Sequence, residues 1–83
     1  MQLNPIATNM TELEYDDGRL ILFSYKTPVA CRTKDFKFYQ TREHYSPTTT
    51  KHITKWLSRF NRSRQTVESM PANYFNAIAG DQY

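Results

Sequence analysis

Ser46-Pro47-Thr48-Thr49-Thr50-Lys51-His52-Ile53-Thr54-Lys55-Trp56-Leu57-Ser58-Arg59-Phe60 reads as a capped amphipathic helix over about residues 48–60. Ile53, Trp56, Leu57 and Phe60 fall at i, i+3, i+4 and i+7, which commits one face to a core. Lys51, Lys55, Arg59 and Arg62 recur at i, i+4, i+8 and i+11, a narrow basic arc on the opposite side. Pro47 pushes Ser46 toward the extended dihedrals of an N-cap, and its own missing N–H is tolerated at the first helical position. Thr48 and Thr49 are alternative caps, so helix entry lies within residues 46–50. The β-branched threonines of the first turn mean that packing, more than propensity, holds it.

Upstream, Leu13-Glu14-Tyr15, Asp16-Asp17-Gly18 and Arg19 to Tyr25 read as a hairpin, with Gly18 supplying the positive φ of a three-residue loop. Both alternating sets of the second strand are largely apolar, the mark of a strand covered on both sides. Lys26-Thr27-Pro28 turns the chain into Val29-Ala30-Cys31-Arg32, and Thr33-Lys34-Asp35 turns it into Phe36 to Gln40, with Phe36 and Phe38 on one face. Such short connections predict an α+β fold: a three- or four-stranded antiparallel meander followed by the helix, packed in two layers across one sheet face. Pro71, Phe75, Ile78, Ala79 and Gly80 predict a short C-terminal helix at about 71–79. Residues 1–83 form one small domain, with the sheet-and-helix core at about 10–60 and a C-terminal extension at about 61–83.

Such a chain buries little more than roughly 60% of its unfolded surface, so its aromatic residues carry a thin core. The lone cysteine, Cys31, excludes an intramolecular disulfide scaffold and reads as a buried small hydrophobe. No run approaches the roughly 18 apolar residues of a membrane span, and neither a signal sequence nor a prenylation box is apparent; the expectation is a soluble intracellular protein. Charge is segregated along the chain. Residues 1–18 carry Glu12, Glu14, Asp16 and Asp17 and no Lys or Arg, whereas residues 19–64 hold all 11 basic residues against Asp35 and Glu43. The acidic first strand is expected to lie beside the basic middle and neutralise part of it.

Leu22-Phe23-Ser24-Tyr25-Lys26-Thr27-Pro28-Val29-Ala30 and Tyr45-Ser46-Pro47-Thr48-Thr49-Thr50-Lys51-His52-Ile53-Thr54-Lys55-Trp56-Leu57 resemble motifs of a group of small uncharacterised proteins encoded by bacteriophages. The resemblance covers about residues 19–58. It implies a virus-encoded protein acting in the host cell cytoplasm, and it carries over no catalytic residue.

Catalysis has little to stand on. His44 and His52 are the only histidines, Gly18 and Gly80 the only glycines, and no Cys or His pair has metal-site spacing, although Glu43, His44 and His52 cluster at the helix entry. Glu12/Glu14 and Asp16/Asp17 are paired carboxylates on an exposed hairpin, which offers no desolvation to part their pKa values. The reading is therefore a non-enzymatic binding protein with no catalytic, metal or cofactor site. Its expected partner is a host or phage protein docked through surplus tyrosines. The alternative is a nucleic-acid accessory protein in which Lys51, Lys55, Arg59 and Arg62, with Arg32, Lys34 and Lys37, meet DNA or RNA phosphates. Tyr39 and Tyr45 are the candidate stacking or interface rings. Self-association is a further expected contribution to stability.

Overall fold

Ser46 caps the central helix as its proline neighbour requires. Its φ of −165° and ψ of 162° are extended, its Oγ accepts the Thr49 N–H at 3.1 Å, and Pro47 opens helix α1, Pro47–Ser58. The computed structural model, which describes residues 1–80, places α1 after five strands: β1 Gln2–Ala7, β2 Met10–Glu14, β3 Leu20–Ser24, β4 Thr27–Arg32 and β5 Phe38–Thr41. A sixth strand, β6 Glu68–Met70, and a second helix, α2 Ala72–Gly80, follow. Gly18 takes a φ of +94° and closes the β2–β3 hairpin, where the Tyr15 and Arg19 backbones pair.

The fold is α+β, but the sheet is larger than a meander of three or four strands. Six strands run in the order β1-β2-β3-β4-β5-β6; the first five are antiparallel neighbours, and β6 pairs parallel to β5 through the α1 crossover. Two strands escape the sequence pattern for physical reasons. β1 contains Pro5 and Asn4, residues depleted in strands and tolerated at an edge. β6 has only three residues, too few for a period.

The expectation of two layers is corrected as well, because helices cover both faces. Beneath α1, Ile53, Trp56 and Leu57 pack on Met10, Leu20, Leu22, Val29 and Ala30. On the reverse face, Phe75 of α2 packs with Leu13, Tyr15, Ile21 and Cys31. The doubly apolar β3 is accordingly the middle of a three-layer core. Residues 68–80 supply both the sixth strand and the second helix.

The hairpin carboxylates are not all exposed. Glu12 is 6% exposed beneath α1, where its Oε1 accepts the Trp56 Nε1–H at 2.8 Å and its Oε2 accepts the Asn4 amide at 3.1 Å. Phe36, expected in the last strand, sits instead in the β4–β5 turn at a φ of +62°.

Trp56 is fully buried, so Trp56→Ala is expected to cost about 3–5 kcal/mol and unfold much of so small a domain. Trp56→Phe keeps most of the ring but strips Glu12 Oε1 of its indole donor, at about 1–3 kcal/mol. Ser46→Ala removes the cap at about 1 kcal/mol. Denaturant titration of the three variants checks the series, and a Trp56→Ala midpoint equal to wild type would refute the core assignment.

Candidate nucleic-acid interface

The chain leaves α1 through a left-handed residue. Asn61, at a φ of +60°, donates to Ser58 O at 3.1 Å while Arg62 donates to Leu57 O at 3.0 Å, a paired C-terminal cap that reverses the backbone. Phe60, just before it, packs toward the sheet with Arg59 beside its ring, and the reversal carries Arg62 to Phe38. From the sheet side the β4–β5 turn is tied by Thr33 N–H to Lys37 O at 2.8 Å and Phe36 N–H to Thr33 O at 2.9 Å, and it carries Lys34, Phe36 and Lys37 exposed.

These two turns converge. Arg32 lies 4.8 Å from the Phe36 ring centre and 5.6 Å from that of Phe60; Arg62 lies 5.2 Å from Phe38, and Arg59 lies 5.9 Å from Phe60. The rings continue inward, with Phe38 5.2 Å from Phe60 and 5.8 Å from Trp56. Arg32 is held by donating Nη2–H and Nε–H to Gly18 O at 2.6 and 3.2 Å, and Arg59 reaches within 3.9 Å of Glu12 Oε1. A groove of about 370 Å³ opens alongside, lined by Phe36, Lys37, Phe38, Tyr39, Arg62 and Val67 among others. Phe36 is 60% exposed at its mouth. The arrangement joins cations to a presented aromatic face, the combination that holds unpaired bases and their phosphates.

Of the sequence-derived residues, Arg32, Lys34, Lys37, Arg59 and Arg62 therefore lie on or beside this patch. Lys51 and Lys55 are exposed along α1. Tyr39 is half-buried and packs edge-on against Tyr74 at 5.8 Å. Tyr45 stands at the opposite end of α1, in a separate polar cleft. Of the rings at the centre of the patch, the sequence pattern puts Phe36 and Phe38 on one strand face and Phe60 in the apolar helix stripe; the sequence signal for a presented ring is Phe36 lodged between Lys34-Asp35 and Lys37 in a turn.

Other polar clusters are inward-looking. Ser24 is 1% exposed and bonds His52 Nδ1 at 2.7 Å and Thr49 Oγ1 at 3.0 Å, an arrangement that ties α1 to β3 and gives the hydroxyl no access to a substrate. No group of three His, Cys, Asp or Glu side chains able to hold a metal occurs among the described residues. None of their helices is long and apolar enough to cross a membrane. Away from α2 the reverse sheet face is uncovered, and Leu3 and Tyr25, 65% and 52% exposed, border a shallow depression with Met1, Leu13 and Phe23.

A model of a family of unknown function, DUF8033, matches residues 1–71, which carry all six strands and α1. The chain belongs to that family. In this DUF8033 protein the matched span thus contains the whole Arg-aromatic patch and ends just before α2. Neither characterised proteins nor solved structures returned a match.

Burial pushes the Cys31 thiol up to about 12, against a smaller opposing effect of a hydrogen bond from Tyr74, and burial raises Tyr74 as well. A thiol raised in the folded state contributes stability that is present below its unfolded value of about 9 and is lost as pH climbs toward 12. Chemical denaturation between pH 8 and 11 is expected to show that decline, and Cys31 should resist alkylation at pH 8 until the protein unfolds. Rapid labelling of the native protein at pH 8 would contradict the burial.

Proposed function

We propose that this protein is a non-enzymatic binder of single-stranded nucleic acid. The observation that carries the reading is the gathering of Arg32, Arg59 and Arg62 around Phe36, Phe38 and Phe60, with Lys34 and Lys37 on the adjoining turn. Guanidinium and ammonium groups neutralise phosphates without regard to sequence, and an exposed ring stacks on any base. A duplex hides its base faces, so a single strand is the better match. The resemblance to bacteriophage proteins supports placing this activity in an infected host cytoplasm. The basic patch needs no cofactor.

Titration of fluorescent single- and double-stranded DNA and RNA over a salt series tests the reading. Micromolar, salt-sensitive binding that favours single strands is expected. Lys34→Gln, Lys37→Gln and Arg62→Gln together should weaken it broadly and flatten the salt slope by about 0.7 per lost contact, and Phe36→Ala should cost about 1–3 kcal/mol. Absence of salt-sensitive binding at micromolar protein would sink the proposal.

A second reading, docking on a host or phage protein, is favoured by the uncovered apolar patch of Leu3, Phe23 and Tyr25. Affinity purification from infected cells with and without nuclease separates the two: a partner retained after nuclease and lost in Leu3→Lys/Tyr25→Lys supports docking.

A further inference from the structure

The outward face of α1 differs in kind from the patch at its end. Arg59, the residue after the helix, keeps helical dihedrals (φ −62°, ψ −22°), so Lys51, Lys55 and Arg59 recur at i, i+4 and i+8 in one line on the solvent side. That line is about 12 Å long at 1.5 Å per residue. Its Arg59 end lies 5.9 Å from the Phe60 ring centre, so stripe and patch form one continuous surface.

Lys51 and Lys55 are exposed and join no ion pair among the described residues, and the sequence holds no carboxylate between Glu43 and Glu68. Only Arg59 has an acidic neighbour, Glu12 Oε1 at 3.9 Å. The exposed residues of α1 include no aromatic side chain. Thr54 and Ser58 spend their hydroxyl protons on Thr50 O and Lys55 O, at 3.0 and 2.8 Å, so from Lys51 to Ser58 the free donors are the two ammonium groups. Such a face meets phosphates and has nothing to offer a base.

The patch has the opposite demand, because its presented ring can be covered only by an unpaired base. A single strand continuing from the patch along α1 would leave its bases unstacked with no ring in exchange. A duplex keeps its bases stacked on one another and shows the lysines only phosphates. At 3.4 Å per step of one strand, the stripe spans about three to four duplex phosphates. Resting on the single-strand reading of the patch, we propose that the preferred ligand is a junction: a single-stranded tail held at Phe36 and the adjoining arginines, with the duplex from which it emerges lying along Lys51 and Lys55.

Fluorescence titration of the full chain over a salt series tests this with four DNA probes: a single-stranded tail, a blunt duplex, that duplex carrying the tail, and a single strand of the same total length. The tailed duplex is expected to bind about tenfold tighter than each of the others at about 50 mM salt and to lose that advantage near 200 mM, because two added duplex contacts at about 0.9 each steepen the salt slope by about 1.8. Lys51→Gln/Lys55→Gln should abolish the advantage, whereas Lys51→Arg/Lys55→Arg should retain it. The Gln variant should bind the tail within about twofold of wild type. It should also keep the wild-type melting temperature, since both side chains are exposed. A tailed duplex that binds no tighter than the long single strand, or no tighter than the blunt duplex, overturns the junction, as does an advantage that survives in the Gln variant. In those cases tail binding that is still weakened by Phe36→Ala leaves the single-strand reading standing. If the tail itself shows no salt-sensitive binding, that reading fails and the junction fails with it.

Discussion

A carboxylate buried under a tryptophan organises this small domain. Placing Glu12 beneath α1 is costly unless its oxygens are hydrogen-bonded, and here the Trp56 indole and the Asn4 amide occupy one oxygen each while Arg59 stands within 3.9 Å. Apolar contacts alone are non-directional and would let α1 slide or roll on the sheet. The indole-to-carboxylate bond fixes both motions, because Trp56 must present its edge to one residue of β2. It also draws in β1 through Asn4, giving a proline-containing edge strand a polar reason to pair. Once α1 is pinned near its C-terminal end, Phe60 falls against Phe38 and the flanking arginines fall beside them, so the candidate interface is a consequence of the core.

The parts of this fold that were legible in sequence are those written in local pattern. Ser46-Pro47 announced the helix start, the spacing of Ile53, Trp56 and Leu57 its buried face, Gly18 the hairpin loop, and the doubly apolar Leu20 to Phe23 the central strand. The α2 helix was visible because Pro71 marks its start and Phe75, Ile78 and Ala79 keep helical spacing. What stayed hidden depends on partners distant in sequence. β6 becomes a strand only by pairing with β5 across a helix, and β1 only by pairing with β2 despite Pro5. Glu12 reads as solvated until Trp56, 44 residues on, is seen above it. For the same reason only Lys51 and Lys55 of the basic stripe lie on the α1 helix itself; Asn61 reverses the chain before Arg62, which meets Phe38 of β5, while Arg32 reaches Phe60 at the helix end.

The segregation of charge along the chain persists in three dimensions with a difference from simple neutralisation. The acidic residues are largely occupied locally: Asp16 pairs with the N-terminal ammonium at 2.8 Å, Asp17 with Arg19 at 2.9 Å, and Glu12 lies inside. Arg62, Lys34, Lys37, Lys51 and Lys55 are left exposed on the α1 helix and the turns beyond it. Exposed pairs of this kind contribute little to stability, so the acidic end is not an adequate explanation for the basic one.

Backbone strain points the same way. Four non-glycine residues hold positive φ: Asn9, Tyr25, Phe36 and Asn61. Asparagine suits that region, and at positions 9 and 61 geometry is all the chain requires. A bulky aromatic there is an outlier that costs about 1–3 kcal/mol, yet Tyr25 and Phe36 both adopt it and both are largely exposed, so neither recovers the cost by full burial. Each ring sits at the surface the rest of the structure leaves open, Tyr25 on the bare apolar sheet face and Phe36 among the arginines. Rings held outward against a backbone penalty support the proposed reading, in which Phe36 meets a ligand beyond its own cation contact with Arg32 at 4.8 Å.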